Sequence, residues 1–217
     1  MQLYAIFEGI RSLGFDPKNI KRLLISHGHY DHVGAAKAII EHTGAKLYAA
    51  QEDLDAIEGR DPVALHNYDE AYTGVTPDEF FSDNKLITQG NITIRTMLTP
   101  GHTPGTTSFF FQDRDESTGK TYSIGLHGGL GLNTLYSDKT EDVPELRERR
   151  MRYRKNLETL RTLPIDVVCS NHPAMINLCE RALQLKAGEN PFYDTGLWGR
   201  TIGKYLELLN SLESNEL

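Results

Sequence analysis

Residues 27–32 have the sequence His-Gly-His-Tyr-Asp-His and follow directly on residues 22–26, Arg-Leu-Leu-Ile-Ser. The short apolar run before the motif predicts a buried strand. Functional groups of layered α/β folds commonly lie beyond the carboxyl ends of strands. The motif therefore stands where a site is expected, and it places three imidazoles and one carboxylate within six residues.

The residue types of this motif are those that bind metal ions. Zinc takes imidazole nitrogens and carboxylate oxygens as ligands. Side chains two positions apart on an extended segment point the same way, so His27 and His29 can hold one ion together. Asp31 and His32, after a turn, can face a second ion. A lone histidine is more often structural, but no packing requirement explains this cluster, and the sequence therefore predicts a metal centre.

Outside the motif, hydrophobic periodicity and turn residues predict a mixture of helices and strands. Helices are predicted over 3–13, 33–43, 51–57, 141–163, 174–186 and 199–213. Strands are predicted over 22–26, 46–49, 92–98, 108–112, 121–126 and 166–170. Residues 59–79 are predicted to be irregular. Two loops after strands carry further histidines, His102 and His172.

Composition excludes several classes of function. The chain has 217 residues, 39% hydrophobic and 24% charged, as expected for one globular domain. Its net charge of −7 argues against a nucleic-acid or anionic membrane partner. An alternative, nucleic-acid processing, would depend on the basic residues of 147–155, but these fall all round a helix that also carries acids, and we interpret it as a solvated helix. Two cysteines cannot form a disulfide framework.

The histidine motif resembles that of the metallo-β-lactamase superfamily. Further segments agree with it: residues 14–24, 99–105, 166–168, 172–173 and 190–192, and the final helix. The resemblance covers nearly the whole chain. It is nearest to the β-lactamase subclass whose first zinc takes three histidines and whose second takes Asp, His and His. It implies an α+β fold, the αββα sandwich, with residues 1–217 as one hydrolase domain.

The resemblance also implies a ligand set for two zinc ions. The first ion would be held by His27, His29 and His102, and the second by Asp31, His32 and His172. Many superfamily members add a bridging Asp or Cys after the strand that here ends near residue 126. This chain has Gly-Leu-His-Gly-Gly at 125–129, without acid or thiol, as in the subclass named.

Three other histidines have open or minor roles. His127 falls where the subclass tends to have a serine near the second metal. It could be a loop residue that faces solvent or hydrogen-bonds to backbone, a residue that contacts the substrate or supports a metal ligand, or a ligand itself. His66, in the polar loop, could contact substrate if that loop forms a rim. His42, at the end of a predicted helix, is expected to have no catalytic role.

The function that the resemblance implies is zinc-dependent hydrolysis. A metal-bound hydroxide would open a cyclic amide, with a β-lactam as first candidate and antibiotic resistance as the consequence. Asp31 would be catalytic, orienting the nucleophile and handling its proton. The alternatives are a lactone, ester or thioester hydrolase, and a metal-binding protein without turnover. The expected partner is a small-molecule substrate, with no nucleic acid and no membrane.

One departure from the family concerns the first helix. Family members have two or three strands before it, whereas here it begins at residue 2. We therefore expect a sandwich that is smaller at its N-terminal sheet and leaves a sheet edge exposed. A homodimer is one way to cover that edge. Localisation stays open between cytoplasm and periplasm.

Overall fold

The computed structural model describes residues 2–61, 72–136, 143–185 and 190–215. The chain divides into two compact units, Met1–Ser82 with Thr103–Thr106, and Asp83–His102 with Thr107–Leu217. The helices are α1 Gln2–Ser12, α2 Tyr30–Val33, α3 Ala36–Thr43, α4 Leu54–Ile57, α5 Pro144–Arg161, α6 Leu178–Leu183 and α7 Leu197–Asn215. The strands are β1 Arg22–Leu24, β2 Lys46–Ala49, β3 Glu79–Phe80, β4 Leu86–Gln89, β5 Ile92–Leu98, β6 Thr107–Arg114, β7 Thr121–Leu126 and β8 Val167–Cys169.

The first unit is built on a parallel sheet with the strand order β1-β2-β3 in the described part of the chain. The register pairs Leu23 with Leu47, and Ile25 continues the pairing by donating its N–H to the carbonyl of Tyr48. Ile25, Val33, Leu47 and Ile57 form the buried core beside this sheet. The chain therefore leaves a strand immediately before the histidine motif, as predicted, although β1 itself is half-buried and, of residues 22–26, only Ile25 and Ser26 are buried.

Helix α1 differs from the prediction in how it is buried. The apolar residues of this helix recur at helical spacing, and such a stripe should be buried, but Phe7 in it is buried while Ile6 is 38% exposed. The Phe7 ring packs 4.8 Å from the ring of His42 on α3. His42 therefore has a packing role, and the stripe as a whole is less buried than expected.

The second unit carries a sheet in the order β4-β5-β6-β7-β8, antiparallel except for the parallel pair β7-β8. Helices α5 and α7 supply much of its core, where Tyr153, Leu157 and Trp198 are almost fully buried. The Trp198 indole N–H donates to the carbonyl of Leu160 at 2.6 Å, so the two helices are joined by a buried hydrogen bond as well as by packing.

Several element boundaries differ from those expected. The helix predicted over 174–186 is two pieces, a 3-10 turn over Pro173–Ile176 and then α6, because Asn177 adopts a left-handed conformation with φ 51°. Strands β3 and β4 lie outside the predicted set. The start of the helix predicted from residue 141 lies outside the described residues, and α5 begins at Pro144.

The described helices include no candidate for crossing a membrane, since none combines the required length with sufficient apolarity. Cys169 and Cys179 are both free. That residues 1–217 form a single domain stays a prediction.

Candidate metal centre

The histidine motif changes conformation in its middle. His29 is extended, with φ −69° and ψ 148°, and precedes the first turn of α2, which contains Asp31 and His32. The His27 ring lies edge-on to the His29 ring at 4.8 Å and 3.9 Å from the His32 ring. Extended backbone followed by a helical turn therefore gathers the motif's imidazoles, as the spacing predicted.

The two members of the motif that follow the turn also contact each other. His32 Nε2 lies 3.3 Å from Asp31 Oδ2. The Asp31 side chain is 41% exposed and that of His32 is 12% exposed, whereas His27 is buried. The carboxylate is therefore the member of the motif best placed to exchange a proton with solvent or substrate.

His102 is held by its ring and by its backbone. Its Nδ1 lies 2.7 Å from the carbonyl oxygen of Gly131, which can only accept, so Nδ1 carries the proton. Its own carbonyl accepts from Thr134 Oγ1 and, at 3.0 Å, from Arg149 Nη2. An imidazole that donates one N–H to a carbonyl presents the lone pair of its other nitrogen, the arrangement that metal-bound histidines adopt. The Nε2 of His102 thus has the form that a ligand needs.

Helix α5 fixes the loop that carries His102. Arg149 also donates to the carbonyl of Gly101 at 3.0 Å, and Asn156 donates to the carbonyl of Pro100 at 2.8 Å. A Cβ at Gly101 would lie 2.3 Å from the Tyr153 ring, so only glycine lets this loop approach the helix so closely. The prediction of a solvated helix is therefore wrong at Arg149.

Other arginines of α5 also bind protein groups within the second unit. Arg150 is buried, donates to the carbonyl of Leu135 at 2.9 Å and covers the Tyr136 ring. Arg154 pairs with Glu213 and Asn210 of α7. The arginines in the middle of this helix thus bind protein groups, which the sequence pattern alone did not indicate.

His172 follows strand β8 by three residues and precedes the 3-10 turn that begins at Pro173. Its backbone is extended, and its carbonyl accepts from Ser170 Oγ at 2.8 Å. This second loop histidine is half-buried. Its loop is fixed locally by the serine hydroxyl and by proline, whose ring restricts the backbone.

His127 is buried in the second unit. Its Nδ1 accepts the backbone N–H of Gly129 at 3.1 Å, so the proton of the neutral ring is on Nε2. Burial, together with a smaller contribution from the nearby His102, lowers the pKa of His127 to about 3. His127 therefore hydrogen-bonds to backbone and does not face solvent. The ring is neutral, and its Nε2–H is buried without a hydrogen-bond partner in the described part of the chain.

Among the described residues, candidate metal ligands form two groups in which each residue offers one ligand atom within 4.8 Å of the others. The groups are His27, His29 and His102, and Asp31, His32 and His172. These are the two ligand sets that the sequence resemblance implied. Their imidazole and carboxylate donors suit zinc, and the His102 tautomer fits a bound ion. His66 lies outside the described residues.

Comparison with known proteins agrees with this geometry. The family model described as the metallo-beta-lactamase superfamily matches residues 2–115, more than half of the chain. The chain belongs to the metallo-β-lactamase superfamily. The resemblance expected from the sequence is confirmed.

Solved structures of the superfamily resemble the chain along nearly its whole length. The FEZ-1 metallo-β-lactamase of Legionella gormanii matches with a TM-score of 0.86 and 27% identity, over 97% of this chain and 80% of that one. BJP-1 of Bradyrhizobium japonicum, a subclass B3 metallo-β-lactamase, matches with a TM-score of 0.84 and 26% identity, over 97% and 79%. The predicted metallo-β-lactamase fold is therefore confirmed.

Two of the curated relatives are hydroxyacylglutathione hydrolases. A hydroxyacylglutathione hydrolase of Chelativorans is 30% identical over 164 residues, which cover 76% of this chain and 51% of the relative. GloC, a hydroxyacylglutathione hydrolase of Haemophilus influenzae, is 29% identical over 119 residues, 52% of this chain and 53% of the relative. The chain thus spans about half the length of these relatives.

Proposed function

We propose that this chain is a dizinc hydrolase that opens a cyclic amide, with a β-lactam as substrate. The observation that carries the proposal is the pair of ligand groups, three histidines in one and Asp31, His32 and His172 in the other. The loop after β7 has no acid or thiol at 125–129 to bridge the two groups. That set is the one the sequence resemblance associated with the β-lactamase subclass.

When bound, the zinc ions would supply a Lewis acid and lower the pKa of a coordinated water. Asp31 would take the proton of the attacking water on its carboxylate and return it to the leaving nitrogen, so that the C–N bond breaks as a C–O bond forms. His102, locked as the Nδ1–H tautomer by Gly131, would keep one ring orientation throughout. The glycines next to these residues in the sequence have no side chains, so the loops occupy little space around the reacting groups.

A thioester hydrolase is the second candidate, because the curated relatives described above are hydroxyacylglutathione hydrolases. The two candidates differ in the atom that leaves, sulfur in a thioester and nitrogen in a cyclic amide. A metal-binding protein without turnover is the third. Only a direct comparison of substrates separates these candidates.

The test is a substrate panel on protein reconstituted with two equivalents of zinc. Nitrocefin, an acyl-homoserine lactone and S-lactoylglutathione are compared under the same conditions, with chelator-treated protein as control. We expect zinc-dependent opening of nitrocefin faster than of the other two. Preference for S-lactoylglutathione would replace the β-lactam with the thioester, and a zinc-loaded protein that opens none of the three would contradict the hydrolase proposal.

We expect His127→Ala to leave the zinc content of the protein unchanged. Nδ1 of His127 is already bonded to the Gly129 N–H and Nε2 carries the proton, so neither nitrogen offers a lone pair to a metal. Zinc per chain is measured after gel filtration, with His102→Ala as the variant that should lose metal. Loss of about one zinc per chain in His127→Ala would make His127 a ligand and contradict this assignment.

A further inference from the structure

A buried carboxylate in the first unit, Asp53, binds the backbone at two places along the chain. Asp53 ends a 3-10 turn directly before α4 and is 4% exposed. Its Oδ2 accepts the Gly28 N–H at 2.8 Å and the Thr103 hydroxyl at 2.6 Å. Its Oδ1 accepts the Gly105 N–H at 2.7 Å. One carboxylate thus receives three hydrogen bonds from segments separated by about 75 residues of sequence.

Both segments lie beside predicted ligands. Gly28 stands between His27 and His29, and Thr103 comes directly after His102. The residues that Asp53 binds are therefore chain neighbours of every member of the three-histidine group. Moving either backbone segment would move at least one of these imidazoles.

The glycines in these segments allow the carboxylate to approach. A Cβ at Gly105 would lie 2.6 Å from Asp53 Cγ and 2.8 Å from Asp53 Oδ1. A Cβ at Gly28 would lie 2.8 Å from the Cβ of Ala56 and 3.2 Å from the Cβ of Asp53. A side chain at Gly105 would displace the Asp53 carboxylate, and one at Gly28 would press on Ala56 and, more weakly, on Asp53.

The hydrogen bonds suit an ionised side chain. The backbone N–H groups of Gly28 and Gly105 can only donate, and the Thr103 hydroxyl lies 2.9 Å from the Thr106 hydroxyl, which can donate to it. Burial raises the pKa of Asp53, and the hydrogen bonds from Thr103, Gly28 and Gly105 oppose that rise. A carboxylate accepts all three bonds, whereas an amide would set an N–H against a donor.

We propose that Asp53 is a positioning residue that sets the spacing of His27, His29 and His102 by holding the backbone beside them. The inference rests on the proposed function, since it concerns the metal that these histidines would bind. Replacing such a supporting group typically lowers metal affinity 10- to 100-fold. Asp53 contacts no reacting atom in this scheme and acts only through Gly28, Thr103 and Gly105.

The test measures metal binding rather than turnover. Co²⁺ is titrated into the full chain, its visible absorption is recorded, and affinity is obtained by competition with a chelator. For Asp53→Asn we expect an affinity for the first Co²⁺ about 10- to 100-fold lower than that of wild type, with an altered absorption spectrum. Thr103→Val should show the same change to a smaller degree, and Thr103→Ser, which keeps the hydroxyl, should restore wild-type behaviour.

The matched control is Asp55→Asn. Asp55 lies only two positions after Asp53, but its side chain is 73% exposed and pairs with Arg60. The Asp55→Asn variant should bind Co²⁺ like wild type. Wild-type affinity and spectrum in a folded Asp53→Asn would overturn the proposal. If that variant does not fold, wild-type affinity in Thr103→Val overturns it instead.

The outcomes also separate this inference from the proposed function. A wild-type chain that binds no Co²⁺ overturns both. A chain that shows the expected affinity changes but hydrolyses no substrate supports Asp53 as a positioning residue and contradicts only the proposed activity.

Discussion

Asp31→Asn is expected to lower kcat by roughly 10²- to 10⁴-fold, the usual contribution of a general acid–base group. In the proposed scheme the carboxylate both binds the second zinc and carries the proton from the attacking water to the leaving nitrogen. An amide has the same shape but cannot take that proton. Asp31 lies in the first turn of α2 with its side chain 41% exposed, so the substitution should leave the fold intact.

Steady-state kinetics and zinc content are measured together, because loss of metal and loss of proton transfer both lower kcat. Glu41→Gln is the control, since it removes an exposed carboxylate from the neighbouring helix α3 and should leave kcat unchanged. A zinc-replete Asp31→Asn that keeps its activity within about threefold of wild type would show that the assigned mechanism is wrong.

Leu157→Ala should lower the free energy of unfolding by about 2–5 kcal/mol, as large-to-small substitutions in cores do. Leu157 is 0% exposed and lies in the cluster formed by α5 and α7. The same helix carries Arg149, Tyr153 and Asn156, which hold the loop of His102. Urea denaturation measures the loss, and a cavity at this position should also loosen that loop.

Met151→Ala is the matched control on the same helix, because Met151 is 59% exposed. Its effect should be within about 0.5 kcal/mol, as for most surface substitutions. A loss below about 1 kcal/mol for Leu157→Ala would mean that the helix is less tightly packed than the structure shows.

The sequence predicted well those strands whose own residues show the hydrophobic pattern of a strand. Strands β2, β5 and β7 have the predicted bounds, Lys46–Ala49, Ile92–Leu98 and Thr121–Leu126. Strand β4 was not predicted, since only Ile87 in it is buried and its strand state comes from pairing with β5. Strand β6 runs beyond the predicted 108–112 because Asp113 and Arg114 pair with β7 while facing solvent. A segment that becomes a strand because it pairs with a neighbouring strand shows only a weak strand pattern in its own sequence.

The metal ligands have a local sequence pattern, whereas the groups that support them are brought to the ligands only by the fold. The histidine motif could be recognised because its members are adjacent in the chain and their chemistry is unusual. Asp53 lies 25 and 50 residues from Gly28 and Thr103, and nothing in residues 51–57 distinguishes it from an exposed acid. Arg149 was assigned to solvent because its helix is rich in charge, and only the fold shows that it binds two carbonyls.

Trp198 is the chain's single tryptophan and lies in the core of the second unit, with its ring centre 6.5 Å from that of His127. Indole emission will therefore report the melting of that unit alone, whereas far-ultraviolet circular dichroism records helices and strands of both. If the units melt separately, the two signals will give different midpoints, and if they melt as one, the curves will superimpose. The molecule thus carries its own optical probe of cooperativity, with no label added.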